Sequence, residues 1–170
     1  MAVLEILRYP NERLKQESVE VKVYNEELRT FVSNLDETMR AGPGGIGIAA
    51  PQVGRFDRIV IVDLSGKDKL PKGSTCHGRM VLINPELTEW EGMVMGREGC
   101  MSVPDFTGNV IRAEKIKLTA FDEHGEQHQY ECEGFEARAV QHEVDHLDGL
   151  LFLDRLVSRK TDLFKRKTYK

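Results

Sequence analysis

The sequence predicts an α+β fold: antiparallel β-sheets packed around one central helix, with further helices toward the N- and C-termini. Three observations carry this. Apolar residues recur at a helical period in two well-separated stretches. Short strand-like runs cluster between those stretches. Nowhere do strands and helices alternate in the β-α-β succession that a parallel sheet requires. A length of 170 residues suits one domain, 1–170, with a core of its own.

The elements follow in chain order. Residues 1–20 are mixed, with a turn at Pro10-Asn11. From Asn25 to Met39 the apolar positions Leu28, Phe31, Val32, Leu35 and Met39 follow a helical period. Asn25 can cap that helix, Glu26 and Glu27 suit its first turn, and Gly42-Pro43-Gly44 ends it. Ile59-Val60-Ile61-Val62 reads as a strand, as does Met80-Val81-Leu82-Ile83, which the sequence ends at Asn84-Pro85. Ser65 to Gly78 is polar and rich in Gly and Lys, and reads as a surface excursion. Lys115–Phe121 and Gln127–Glu133 alternate in polarity, with Ile116 and Leu118, then Tyr130 and Cys132, on one face. The turn Glu123-His124-Gly125 makes them an antiparallel hairpin. Gly134 leads into a helix through Leu147, with Gly149 as its stop. Residues 158–170 read as a basic C-terminal helix or tail.

Bulk properties exclude several classes. A net charge of -4 argues against wholesale nucleic-acid binding. No apolar run is long enough to span a membrane, and the charged N-terminus does not read as a signal peptide. Cys76, Cys100 and Cys132 are too few, and odd in number, for a disulfide framework. A reducing cytoplasm is the expected setting, where a thiolate stays available as a ligand.

The chemistry concentrates in Gln141-His142-Glu143-Val144-Asp145-His146. On a helix, positions i and i+4 share a face, so His142 and His146 can grip one metal ion from the same side. Glu143 then lies beside the water that the ion activates, which is the H-E-x-x-H arrangement. The plainer alternative is a solvated acidic helix face.

A catalytic metal usually takes three protein ligands and keeps one position open. The extended motif H-E-x-x-H-x-x-G-x-x-H holds as far as Gly149, but Phe152 stands where the last His belongs. After His146 the chain has no His and no Glu, only Asp148, Asp154 and Asp162 as carboxylates. Upstream, Glu98-Gly99-Cys100-Met101-Ser102-Val103-Pro104 stands out, though a half-buried loop cysteine would look the same. Gly45-Ile46-Gly47-Ile48-Ala49-Ala50-Pro51-Gln52-Val53-Gly54 is the other anomaly. Its small residues let backbone approach a ligand, and Gln52 offers an amide donor. It is not a phosphate loop, because no Lys-Ser/Thr follows. Cys76-His77 is a conceivable ligand pair, but a flexible loop is a poor frame for a site. His124 at a hairpin tip reads as solvent-facing, and Cys132 as buried filler.

Together, Gly45–Gly54, Glu98–Ser102 and Gln141–Gly149 resemble peptide deformylases. The fixed positions of G-x-G-x-A-A-x-Q, E-G-C-x-S and Q-H-E-x-D-H are all present. The resemblance implies Cys100, His142 and His146 as metal ligands and Glu143 as general base and acid. It implies Gln52 and the Met101 backbone N–H as the oxyanion hole; the family commonly has Leu at that position, but the backbone serves the role. Ile46, Gly47 and Gly99 would meet the substrate backbone. Phe135, Ala139 and Ile46 would border a pocket for a methionine side chain, with the charged Arg138 near that wall. Glu98 and Arg112 would form a supporting ion pair.

The implied activity is a metal-dependent hydrolysis that removes formate from the N-formylmethionine of newly made polypeptides. The implied cofactor is one divalent ion, Fe2+, with Zn2+, Ni2+ or Co2+ as substitutes. One thiolate leaves such a centre with a net charge near +1. Ligand types alone do not choose between iron and zinc. From Arg159 to Lys170 the chain carries Lys160, Lys165, Arg166, Lys167 and Lys170 against one Asp. Such an end could dock on ribosomal RNA, or simply complement a helix C-terminus. Two rivals stand beside this reading. A metallopeptidase cutting internal bonds lacks its downstream ligand here, and a structural zinc module lacks a fourth ligand.

Overall fold

In the computed structural model, which describes residues 2–166, Asn25 opens helix α1, Glu26–Ala41. The Asn25 side-chain oxygen accepts the Leu28 N–H at 3.0 Å. Glu26 and Glu27 lie at the positive end of the helix, and Gly42 closes it. The strands are β1, Gly47–Ala49; β2, Ile59–Val62; β3, Met80–Glu91; β4, Val94–Cys100; β5, Val103–Arg112; β6, Lys115–Phe121; and β7, Gln127–Glu133. Helix α2, Phe135–Leu147, follows, then the single turn α3, Arg159–Asp162, and strand β8, Leu163–Lys165. The strands form two antiparallel sheets, ordered β1-β2-β3-β6-β7 and β4-β5-β8.

Strand β2 shows why the larger sheet needs two helices. All four of its residues are buried. Ile59 and Ile61 join a cluster with Leu28, Val32, Leu35 and Met39 of α1. Val60 and Val62 point the other way, into a cluster with Ala137, Val140 and Leu147 of α2. The period of two thus feeds two cores, and a continuous apolar run results. Helix α2 is thereby the central helix, with ten of its residues buried.

Strand β3 runs through Asn84-Pro85, where the sequence predicts its end. Asn84 takes a left-handed conformation, φ 52°, and the register with β6 shifts between Ile83 and Glu86. The Asn84 side chain fixes this bulge by accepting the Val21 N–H at 2.8 Å and donating to the Val21 carbonyl at 2.9 Å. The bulge accommodates a proline that cannot donate to the ladder. The β6–β7 hairpin forms with Phe121 opposite Gln127.

The sequence assigns no strand to Glu98–Pro104. The structure makes it the end of a hairpin instead, with β4 paired to β5 and Cys100 opposite Val103. A third cluster, including Leu14, Val103, Val110, Leu151 and Phe152, packs under this hairpin. Residues 163–165 pair with 106–108 of β5 rather than continuing a helix. Lys167 and Lys170 of the basic segment lie outside the described residues.

The excursion from Ser65 to Gly78 has no regular element, yet α2 anchors it. The fully buried Glu136 accepts the Thr75 hydroxyl at 2.7 Å and the His77 N–H at 2.7 Å, and His77 Nδ1 lies 2.5 Å away. Among the described residues, no helix is long and apolar enough to cross a membrane.

Candidate metal centre and active site

Helix α2 presents His142, Glu143 and His146 toward the edge of β1 and the end of β4. The His142 and His146 rings are 5.4 Å apart between centroids. Strand periodicity turns Glu98 and Cys100 of β4 to the same face, and both are buried. Cys100 Sγ lies 3.4 Å from His146 Nε2. Donor atoms of Cys100, His142 and His146 all fall within 4.8 Å of one another, and all three residues are buried.

The donor set fits a metal ion on two grounds. It combines one thiol with two imidazoles, which suits a divalent transition metal. Glu98 also fixes one imidazole, because His142 Nδ1 lies 2.8 Å from Glu98 Oε1. That contact commits Nδ1 to the carboxylate and directs Nε2 inward, the usual outer support of a ligating histidine. Glu143 completes the arrangement. Its Oε2 is 4.0 Å from His142 Nε2, its Oε1 is 4.0 Å from His146 Nε2, and Oε1 is buried without a hydrogen-bond partner. A buried polar atom with no partner is costly unless something else meets it.

The electrostatics follow from burial. Burial pushes the Glu143 carboxyl up to about 7, against the lowering effect of His142. Burial, with the charges of His142 and Arg112, holds His146 well below the usual imidazole value. Burial also works against protonation of His142, but Cys100, Glu143 and Glu98 outweigh it and raise that group. The opposite holds at Glu98: burial would raise its carboxyl, yet hydrogen bonds from Arg112 and His142 keep it well below the carboxylate range.

Glu98 is the hub of a buried ionic network. Arg112 grips it with two bonds of 2.9 Å. Arg138 Nη1 donates to it at 2.6 Å, and also reaches the carbonyls of Val110 at 3.0 Å and, through Nη2, of Val94 at 2.7 Å. Arg138 therefore turns into the β4–β5 hairpin, which settles the charge placed near the pocket wall. Asp145 joins Arg112 at 2.6 Å and Arg155 at 2.8 Å. Local sequence gives no signal for the Arg138 and Arg155 contacts. Asp145 did carry one, as a fixed position of the third motif.

Gln52 sits in a short 3-10 turn, Ala50–Val53, after β1. Its side-chain Oε1 accepts the Ala49 N–H at 2.9 Å, and its Nε2 donates to Ser102 Oγ at 3.0 Å and lies 3.4 Å from Cys100 Sγ. Ile46, Gly47, Gln52, Gly99, Cys100, Met101, Phe135, Ala139, His142 and Glu143 line one cleft of about 240 Å³. His146 lies just behind its floor, and Arg112 behind Glu98. Phe152, at the position of the missing histidine, is buried and stacks on His142, with centroids 6.3 Å apart.

Two other readings resolve here. Cys76 is exposed and outside any cluster of candidate ligands among the described residues. His77, Cys132 and Glu136 do lie together. Hydrogen bonds to the Thr75 and His77 groups already account for the Glu136 carboxylate there. Burial and Glu136 push the Cys132 thiol well above its usual value, in keeping with filler.

The chain is similar to known proteins along nearly its whole length. A family model described as polypeptide deformylase matches residues 3–162. A peptide deformylase of Thermodesulfovibrio yellowstonii is 41% identical over 167 residues, which cover 98% of this chain and 97% of that one. Peptide deformylase 3 of Shewanella oneidensis is 40% identical over 170 residues, covering 100% and 99%. The crystal structure of the Ehrlichia chaffeensis peptide deformylase in complex with actinonin superposes with a TM-score of 0.85 at 33% identity, covering 94% of this chain and 92% of that one. Agreement along nearly the whole length, in sequence and in fold, makes this chain a member of the peptide deformylase family.

Proposed function

We propose that this protein removes formate from the N-formylmethionine of newly made polypeptides, with Glu143 as general base and acid. The observation that carries the reading is the convergence of Cys100, His142 and His146 on one point, beside a buried Glu143 oxygen that has no partner. A divalent ion held by those three ligands would supply a Lewis acid and lower the pKa of water from 15.7 toward about 7. The rest of the work belongs to the chain.

Glu143 takes the proton of the attacking water and returns it to the departing amine nitrogen. Such proton transfer is commonly worth about 10²–10⁴ in rate. The Gln52 amide and the Met101 backbone N–H donate to the formyl oxygen as it gains charge. Loss of one such donor costs about 10²–10³. Ser102 and the Ala49 N–H hold the Gln52 amide in place. Ile46, Gly47 and Gly99 present backbone to the substrate chain, while Phe135, Ala139 and Ile46 shape the apolar wall for the methionine side chain. Glu98 and Arg112 hold His142 in position from behind.

We assign Fe2+ as the resident ion, with Zn2+, Ni2+ or Co2+ as substitutes, and the cytoplasm, where nascent chains begin, as the setting. We also propose that the basic segment from Ser158 onward contacts ribosomal RNA. The deciding assay is formate release from formyl-Met-Ala-Ser under anaerobic conditions, with bound metal quantified. Glu143→Ala is expected to keep its metal and lose at least about 10²-fold in kcat. Undiminished formate release by that variant would refute the role of Glu143.

A further inference from the structure

Residues 2–18 belong to none of the three motif segments and form only one short 3-10 turn, Glu12–Lys15. Their main chain nevertheless meets the end of each segment. Upstream they are pinned to α1: the Ala2 N–H donates to Asn34 Oδ1 at 2.9 Å and the Leu4 N–H to Thr38 Oγ1 at 2.8 Å. The Leu7 N–H then donates to the Gln52 backbone carbonyl at 2.7 Å, and the Tyr9 N–H to the Ser102 carbonyl at 2.7 Å. Downstream, the Ser18 N–H donates to the Leu147 carbonyl at 2.8 Å. The Lys15 backbone also presses on Gly149, where a Cβ would lie 2.2 Å from the Lys15 carbonyl oxygen.

The two middle bonds close a ring. Leu7 and Tyr9 are two residues apart, and their acceptors are themselves joined, because Gln52 Nε2 donates to Ser102 Oγ at 3.0 Å. Gln52 and Ser102 are both buried, so these polar groups rely on protein partners rather than on water. The Leu7 side chain packs against the cluster that contains Leu14, Cys100 and Val103, which fixes the strand-like approach from the other side. Ser102 directly follows Met101. The ring therefore borders both donors assigned to the formyl oxygen, the Gln52 amide and the Met101 N–H. A catalytic group displaced by about 1 Å through a change away from the chemistry can lose about 10²-fold in rate.

We propose that residues 2–9 form a strap whose Leu7 and Tyr9 N–H groups position the oxyanion donors, acting on the chemical step through Gln52. Leu7 and Tyr9 are positioning residues and touch no substrate. This rests on the reading of Gln52 as an oxyanion donor.

The test is a double-mutant cycle on the metal-loaded enzyme, read as kcat and KM for formate release from formyl-Met-Ala-Ser. Leu7→Pro removes the N–H. Leu7→Ala keeps it and reports the cost of lost side-chain packing alone. Relative to Leu7→Ala, Leu7→Pro is expected to lower kcat by about 10- to 100-fold and to change KM by less than about threefold. Tyr9→Pro should show the same split. In a Gln52→Ala background, Leu7→Pro is expected to cost less than about threefold more, because the group it positions is gone. Losses that multiply in full would show a strap that supports only the fold, and overturn the proposal. Wild-type kcat in Leu7→Pro beside an impaired Gln52→Ala overturns it too. Full activity of Gln52→Ala instead removes the oxyanion role of Gln52, and the role of the strap with it. If neither proline variant folds, amide exchange in the wild type and in Ser102→Ala decides. The Leu7 and Tyr9 amides should be protected, and should lose protection together when the Gln52–Ser102 bond is cut. Unprotected amides, or protection untouched by that cut, overturn the proposal.

Discussion

At Gly47 a single carbon decides the geometry of the site. A Cβ built there would lie 2.7 Å from Glu143 Oε2 and 3.0 Å from Glu143 Cγ. The carboxylate can occupy its present place only because that carbon is missing. Gly47→Ala must displace either Glu143 or the end of β1. A displacement of about 1 Å in a catalytic group can cost about 10²-fold. The expected outcome is a fall of that order in kcat with metal content retained, measured by formate release and metal analysis together. Full activity in Gly47→Ala would show that Glu143 does its work from another position. The same scale shows what was legible in the chain. His142, Glu143 and His146 are readable because their relation is local, one helical turn. Gly47 and Gln52 stand out as small and polar residues in an apolar setting, and the cleft does gather them. Arg138 was not legible in orientation, because its partners Glu98 and Val94 are about forty residues away and nothing nearby points to them.

Elements were legible where one face of them is apolar. Helix α1, the β6–β7 hairpin and helix α2 announce themselves by period, and strand β2 by a continuous apolar run. The β4–β5 hairpin does not. Its β4 strand buries only Glu98 and Cys100, and Gly96 and Gly99 interrupt the pattern. Those inward positions hold candidate site residues instead of apolar filler, so the strand that carries them shows no strand pattern in the sequence. The continuation of β3 was hidden in the same way, since Asn84-Pro85 is ordinary stop chemistry unless a distant backbone, here Val21, supports a bulge. Strand β8 changes how the basic segment should be tested. Cutting the chain after Val157 would remove a strand paired to β5 beside the cleft, and would confuse docking with damage. Lys160 and Lys165 are both exposed, so their charges can be reversed without touching the core. If the segment contacts ribosomal RNA, Lys160→Glu/Lys165→Glu weakens co-sedimentation with ribosomes at low salt and lowers the salt slope of binding by roughly two. Deformylation of small peptides should persist. Unchanged ribosome affinity in that variant excludes the contact.

Across the whole molecule, the candidate ligands come from two packed parts of the fold. Cys100 comes from the smaller sheet, and His142 and His146 from the helix that covers the larger one. The Glu98–Arg112–Asp145 network spans the same boundary, with buried bonds of 2.6 to 2.9 Å. Burying charges in this way is weak support for stability by itself, because desolvation offsets much of the attraction. The net binding energy of an ion held by both parts already includes its dehydration and the deprotonation of the thiol, and it adds directly to folding. At free metal a thousandfold above Kd the gain is about 4 kcal/mol, less whatever the unfolded thiol and imidazoles retain. For a chain of this size that corresponds to about 5–15 °C in Tm. Chelation should therefore lower Tm by that amount and expose the β4–β5 hairpin and the C-terminal half of α2 to amide exchange ahead of α1. Readdition of Fe2+ without oxygen, or of Ni2+, should restore both. Cys100→Ser should start near the chelated value and respond less to added ion. A Tm that stays fixed while metal analysis shows the ion gone would mean that direct contacts between protein groups hold the two parts together, and that the thiol and imidazoles do not share an ion.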